Sequence, residues 1–378
     1  MINVMIFGNN DIGKTTRDII EKLLNYEIES SGGEPIQVVG FVDIIPDCND
    51  KSGENFTFDQ YVALYKKIQI PLILPIQNIL GHKTPSHMLK GCGVDLNDVY
   101  ISSRLTEALI NSKEQIVNFI TPFYSARYLP YLEFHVADQC NLNCKACEHY
   151  SGLVTKDKFP VYEDFEKEMI MLHEFIDDIG AIRILGGEPL LNPELPKYIS
   201  LSRKLFGDAM IFVVTNALLL KAQDDSLFSV MRENNACFFV STYPPVAPHV
   251  AELEAFLDEH GVKHFFSPVV NSFTKKQILD PKNDRNQFYK CTQAKCINLY
   301  EGKLASCFLP FTTKYFNEYF DKNLPEDGAI DLFTENLTTE TIKMHLEEPF
   351  ERCRYCTDPK EIPWEKVSLP STLEDWVI

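Results

Sequence analysis

Short apolar runs separated by stretches of helical period recur along the chain. Val4 to Phe7 reads as a buried strand, Gly8 to Gly13 as a turn, and Thr15 to Leu24 as a helix carrying Ile19, Ile20, Leu23 and Leu24 on one face. Val38 to Val42 repeats the strand pattern and closes on Asp43, and Leu72 to Leu74 and Val99 to Ile101 are further strands. This alternation predicts a small Rossmann-like α/β domain over residues 1–125. A helical segment from Ser112, followed by Pro122 and Pro130, leads into the next stretch.

From Tyr131 the pattern is again strand, helix, strand, helix. Tyr131 to Val136 alternates, and Phe165, Met169, Leu172 and Ile176 recur at helical spacing after Pro160. Ile182 to Leu185, Met210 to Thr215, Cys237 to Ser241 and Lys263 to Phe266 are strands, with helices near Pro193–Phe206, Leu227–Asn234 and Pro248–His260 between them. Leu299 to Leu304 reads as a hairpin turning on Glu301-Gly302.

Composition narrows the function. The 378 residues are 45% hydrophobic and 12% aromatic, enough for packed cores in two or three domains. With 36 Lys and Arg against 54 Asp and Glu the net charge is −18, which argues against a phosphate-tracking surface and hence against nucleic acid. The first ten residues have no basic flank, and no run approaches a membrane span, so a cytoplasmic protein is expected. Of eleven cysteines, eight fall in two groups, which in a reducing compartment read as metal ligands. Cys48, Cys92 and Cys237 stand alone near apolar segments and are expected to be inert core thiols.

The first group is Cys140-Asn141-Leu142-Asn143-Cys144-Lys145-Ala146-Cys147, directly after a strand. Three thiolates from one loop can wrap an inorganic cluster and leave one iron without a protein ligand. The second signal is Gly186-Gly187-Glu188-Pro189 at the end of the next strand. Together, CxxxCxxC and GGEP resemble the radical S-adenosylmethionine (radical SAM) superfamily. That resemblance implies a partial (β/α)6 TIM barrel, covering roughly residues 131–270, with its active site at the strand C-terminal ends. It also implies a [4Fe-4S] cluster on Cys140, Cys144 and Cys147. S-adenosyl-L-methionine would chelate the open iron and be cleaved reductively to a 5'-deoxyadenosyl radical. Gly186, Gly187, Glu188 and Pro189 would bind its ammonium. Asn216 and Ser241, at strand ends beside Thr215 and Tyr243, match positions that contact the cofactor in the family, and each is equally a strand-terminating turn residue. His149 and Tyr150 follow the third cysteine; they would lie near adenine or cluster, or His149 would be a solvated loop side chain. Ala146 departs from the family, where an aromatic usually precedes the third cysteine, and bears on how the adenine edge is packed.

The second group is Cys291, Cys296, Cys307, Cys353 and Cys356. A hairpin would put Cys291 and Cys307 on neighbouring strands, and Cys353-x-x-Cys356 adds two thiols from one turn; spacing makes Cys296 the spare. This layout resembles the abbreviated SPASM, or twitch, module that holds one auxiliary [4Fe-4S] cluster, with four-thiolate zinc as the alternative. The expected division is thus 1–125, a barrel at 126–285 and an auxiliary-cluster domain at 286–378. The whole also resembles uncharacterised radical SAM proteins of bacterial polysaccharide biosynthesis. The implied activity is oxidoreductase-type hydrogen abstraction, under anaerobic conditions, from a small polar substrate such as a sugar or nucleotide sugar. Electrons would come from a donor such as flavodoxin or ferredoxin. A peptide maturase and a non-catalytic electron carrier or sensor are the rivals. The loop Gly8 to Thr15 is open to three readings: a degenerate Rossmann turn that binds no nucleotide, a turn that with Asp43 as ribose-facing acid binds a nucleotide or nucleotide sugar, and the P-loop of a working NTPase.

Overall fold

Strand β1 (Ile2–Phe7) has Val4, Met5 and Ile6 buried, as a strand covered on both faces requires. It sits centrally in a six-stranded sheet with β2 (Ile36–Asp43), β3 (Asn55–Thr57), β4 (Leu72–Pro75), β5 (Val99–Ser102) and β6 (Ile120–Pro122). The order is β3-β2-β1-β4-β5-β6, parallel except for β6. That is a doubly wound order with its switch point beside β1. The computed structural model describes residues 1–44, 54–78, 85–104, 116–282 and 284–378. Cys48 and the start of the segment expected to be helical from Ser112 lie outside the described residues. Within the described residues the chain forms two compact units, Met1–Pro130 with Thr338–Met344, and Tyr131–Leu337 with His345–Ile378.

In the first unit the helix begins at Asp11, four residues earlier than the sequence suggests, because the Asn10 side chain caps it by accepting from Gly13 N at 2.9 Å. Gly13 lies inside the helix; a Cβ there would stand 1.9 Å from Gly8 O, so the glycine permits close helix–strand packing. This is the third-glycine role of a Rossmann turn, and the wide phosphate-wrapping loop of a P-loop does not form. Asp43 turns inward, accepting from Asn9 N at 3.2 and 3.3 Å, and burial holds its carboxyl above the ordinary range.

The second unit is built on β7 (Tyr128–Ala137, which enters it at Tyr131), β8 (Asp178–Gly186), β9 (Met210–Thr215), β10 (Cys237–Val240) and β11 (Lys263–Phe266). Successive strands are neighbours, with helices at Tyr162–Phe175, Leu195–Leu205, Asp225–Glu233 and Val250–Glu259 in the crossovers. Phe165, Met169 and Leu172 bury the inward face of the first helix against Phe134 on β7, the ring pair lying 4.6 Å apart. Strand β12 (Ser272–Gln277) leaves the sheet and pairs with β16 (Cys356–Pro363). The hairpin β13 (Asn298–Tyr300) and β14 (Lys303–Ala305) turns on Glu301-Gly302. Its β13 runs parallel to β7, and β15 (Ala329–Asp331) follows β14, giving one sheet of order β11-β10-β9-β8-β7-β13-β14-β15. Residues 286–337 and 345–378 therefore belong to the same compact unit as the parallel strands.

Two local expectations are corrected. Cys291 and Cys307 are not on neighbouring strands: Cys291 ends the short helix Gln287–Lys290 and Cys307 follows β14, so loops rather than pleats aim their thiols. Cys92 is exposed at a helix end rather than buried, and Cys237 is only half-buried on β10.

Candidate active site

The cysteine loop leaves the C-terminal end of β7 and is wound by left-handed residues, Asn143 at φ 52° and Ala146 at φ 52°. Backbone N–H groups of Leu142 and Asn143 point at the Cys140 sulfur, and those of His149 and Ser151 at Cys147. Burial pushes the thiols of Cys140 and Cys144 up to about 12, so loading a metal cluster there must displace protons. N–H groups aimed at sulfur fit an anionic thiolate-bound cluster, and three thiols from one loop fit its cysteine ligands.

The Gly186–Pro189 turn docks on the base of this loop. Gly187 N donates to Ala137 O at 2.7 Å and Glu188 N to Gln139 O at 3.1 Å. Gly186 has φ +145°, and a Cβ on it or on Gly187 would lie 2.0 Å from Ala137 O or 2.1 Å from Gln139 O; only glycine allows this approach. Glu188 is fully buried and accepts from Thr215 Oγ1 at 2.6 Å, Asn216 N at 2.8 Å and Leu190 N at 3.1 Å. Burial raises its carboxyl to about 7 against those three donors. Pro189 opens the buried turn that follows. Asn216 reaches the cysteine loop, donating to Asn141 Oδ1 at 2.7 Å and lying 3.8 Å from Cys140 Sγ. Ser241 stands one strand further on, its N bonded to Thr215 O at 2.9 Å and its side chain to Tyr243. The structure thus gathers Cys140, Glu188, Thr215 and Asn216 into one network, with Ser241 at its edge.

The chain's last fifteen residues, which carry no local signal, hold the other side of the loop. Cys144 bridges Lys366, Lys145 N donates to Glu365 O at 2.9 Å, Ala146 N to Asp375 O at 3.0 Å, and Val367 N to Asn143 O at 2.8 Å. Trp364 Nε1 donates to Cys144 Sγ at 3.2 Å, and its ring stacks near Tyr243, centroids 6.2 Å apart. An aromatic pair therefore lies beside the loop although Ala146 supplies none.

His149 is not a solvated side chain. Its Nδ1 meets His135 Nε2 at 2.7 Å, its ring stacks on Phe308 at 4.3 Å, and His135 Nδ1 meets Asp138 Oδ1 at 2.9 Å. Burial works against the Asp138 carboxylate, but His135, Tyr300 and Tyr315 hold it well below the usual range. Tyr150 is buried between Phe316 and Trp376.

Of the second group, Cys291, Cys307, Cys353 and Cys356 border one small cavity together with Lys276, Phe288 and Phe350. Cys296 does not line it and lies just ahead of β13, within electrostatic reach of Glu133 and Arg183. Burial pushes Cys353 up to about 12. The Lys276 ammonium resists burial through Glu148 at 2.7 Å and the nearby Cys291 and Cys307, so a cation faces this cavity. Among the described residues no three Cys, His, Asp or Glu side chains meet closely enough for a single metal ion. Nor, among them, is any helix long and apolar enough to cross a membrane.

Residues 135–273 match the family model of the Radical SAM superfamily, so the chain carries a domain of that superfamily. Among curated proteins, GTP 3',8-cyclase 1 of Mycobacterium tuberculosis is 36% identical over 105 residues, 25% of this chain and 28% of that protein. The 7,8-dihydro-6-hydroxymethylpterin dimethyltransferase of Methanocaldococcus jannaschii is 35% identical over 86 residues, 23% of this chain and 17% of that protein. The chain thus spans less than a third of these relatives' length. Among solved structures, BtrN in complex with AdoMet and 2-DOIA is 14% identical with TM-score 0.37, covering 66% of this chain and 98% of that one.

Proposed function

We propose that the second unit is a radical SAM enzyme that uses Cys140, Cys144 and Cys147 to hold a [4Fe-4S] cluster. The observation that carries this reading is the docking of the three-cysteine loop on the Gly186–Pro189 turn, locked by Glu188 to Thr215 and Asn216. When bound, the cluster and S-adenosyl-L-methionine supply a 5'-deoxyadenosyl radical that abstracts hydrogen from a small polar substrate. Gly186 and Gly187 keep backbone close to the loop, where a cofactor ammonium would be received, and Asn216, Ser241 and Tyr243 line the adjoining strand ends. Trp364 donates to the Cys144 sulfur, and the C-terminal segment keeps water from that side of the loop.

Four thiols bordering one cavity support a second [4Fe-4S] cluster on Cys291, Cys307, Cys353 and Cys356, with Cys296 outside the set. Such a cluster would give the substrate radical an electron acceptor, as an oxidation requires. The first unit, with its doubly wound order and inward-turned Asp43, is read as a Rossmann-like domain and not as an NTPase. The test is direct: iron-loaded, reduced, anaerobic protein should convert S-adenosyl-L-methionine to 5'-deoxyadenosine and methionine, and Cys144→Ala should abolish it. Cleavage that persists in the variant overturns the assignment.

A further inference from the structure

The two faces of the parallel sheet differ. Ile182, Ile184, Ile211 and Val213 are fully buried under the crossover helices. The alternate residues Arg183, Phe212 and Phe239 are half-buried, and Phe265 is 50% exposed. Strand register puts these four on one face: Arg183 pairs with Phe212, and Phe239 with Val214 and Phe265. The strand ends on this side lead up to the Gly186–Pro189 turn, which begins three residues beyond Arg183.

On this aromatic face stands a guanidinium with its edges unused. Arg183 Cζ lies 4.6 Å from the Phe239 centroid, 5.9 Å from Tyr131 and 6.0 Å from Phe212. Those are ring contacts, and among the described residues its N–H groups meet no acceptor. Stacking occupies the planar faces of a guanidinium and leaves the fork of N–H donors free for a planar or tetrahedral oxyanion. One strand away, Glu133 is 3% exposed; its Oε2 accepts from Tyr131 OH, while its Oε1 is buried without a hydrogen-bond partner. Asn298 stands opposite Glu133 across the β7–β13 register. A buried carboxylate oxygen lacking a donor is costly unless a ligand supplies one.

We propose that this open face recognises an acidic polyol, a small substrate that sets a carboxylate or phosphate on Arg183, a hydroxyl on Glu133 and its carbon skeleton against Phe212 and Phe239. The inference rests on the enzyme reading above and deepens it by naming the substrate's chemistry. A neutral sugar leaves the guanidinium fork empty, and an apolar substrate leaves both that fork and Glu133 Oε1 without a partner.

The experiment is calorimetry on the iron-loaded full chain with glucose 1-phosphate, glucuronate and glucose as probes. One of the two acids should bind and glucose should bind at least about 10-fold more weakly; the acid that binds identifies phosphate or carboxylate as the anion. Arg183→Gln should weaken that acid by about 10- to 100-fold, and Arg183→Lys, which keeps charge but not the fork, by less. Glu133→Gln should weaken it while leaving the preference for acid over glucose. Trp fluorescence melts confirm that the variants fold, and Arg183→Lys keeps the comparison alive if Arg183→Gln does not. Equal binding of glucose and both acids, no binding of either acid, or unchanged affinity in Arg183→Gln overturns the proposal. Formation of 5'-deoxyadenosine without sugar, measured on the same samples, separates the two ideas: its loss in wild type refutes the enzyme reading, whereas anion binding that ignores Arg183 refutes only this one.

Discussion

Glu188 offers a sharp test of how the turn is held to the sheet. Its carboxyl is fully buried and raised to about 7 from 4.5. Between those values the folded chain keeps the proton and the unfolded chain has lost it, so the folded state binds more protons and stability falls as pH rises through the window. At about 1.4 kcal/mol per pH unit the whole step is worth about 3 kcal/mol, with no further loss above pH ~7. Glu188→Gln cannot ionise and lacks the step. Glutamine also offers one acceptor where Leu190 N, Thr215 Oγ1 and Asn216 N all donate, a mismatch of about 1–3 kcal/mol. The variant should therefore be the less stable protein near pH 5, with the gap closing or reversing by pH 8. Urea unfolding of reduced, iron-free protein should be followed by fluorescence, since both tryptophans, Trp364 and Trp376, lie in the second unit. Subtracting the two curves cancels every other titrating group, the thiols included. A difference that does not change with pH refutes the reasoning.

Further outcomes follow from the same geometry. Gly187→Ala puts a Cβ 2.1 Å from Gln139 O and must push the cysteine loop away, so reconstituted iron should drop from about eight per chain toward about four while the rear site stays loaded. Cys353→Ala with Cys356→Ala should remove the other four or so, whereas Cys296→Ala should leave iron counts by Mössbauer spectroscopy unchanged. Ending the chain at Pro363 removes the strands of contact to Asn143, Lys145 and Ala146, and should abolish S-adenosyl-L-methionine cleavage with the rear iron retained. In the first unit, calorimetry should show no ATP hydrolysis heat, and Lys14→Ala should change nothing; a Lys14-dependent turnover would restore the P-loop reading.

The local parts of this molecule were plain in the sequence. Val4 to Phe7 and Met210 to Thr215 became strands within a residue or two, because each is a short apolar run between turn formers. The Cys140–Cys147 and Gly186–Pro189 stretches announce themselves by residue type and spacing. What stayed hidden is long-range. Nothing local tells Asn298 that it will pair beside Glu133, or Lys366 that it will bridge Cys144. Cys92 misled because apolar neighbours in sequence do not fix which way a helix-end side chain faces. His135 and Glu133 were within reach: with Tyr131 they form the alternate, polar face of an otherwise apolar strand, a pattern that asks what buried partners those groups have.

The tie between the cysteine loop and residues 364–375 also sets an order of events during synthesis. The loop emerges from the ribosome more than two hundred residues ahead of Glu365, Lys366 and Asp375, so its clamp through them cannot close until those residues have been made. Throughout that interval three thiols sit on an unlatched loop, and the arrival of Trp364 to Asp375 closes one side of it. A nascent chain stalled before Trp364 would carry the three thiols with that side open.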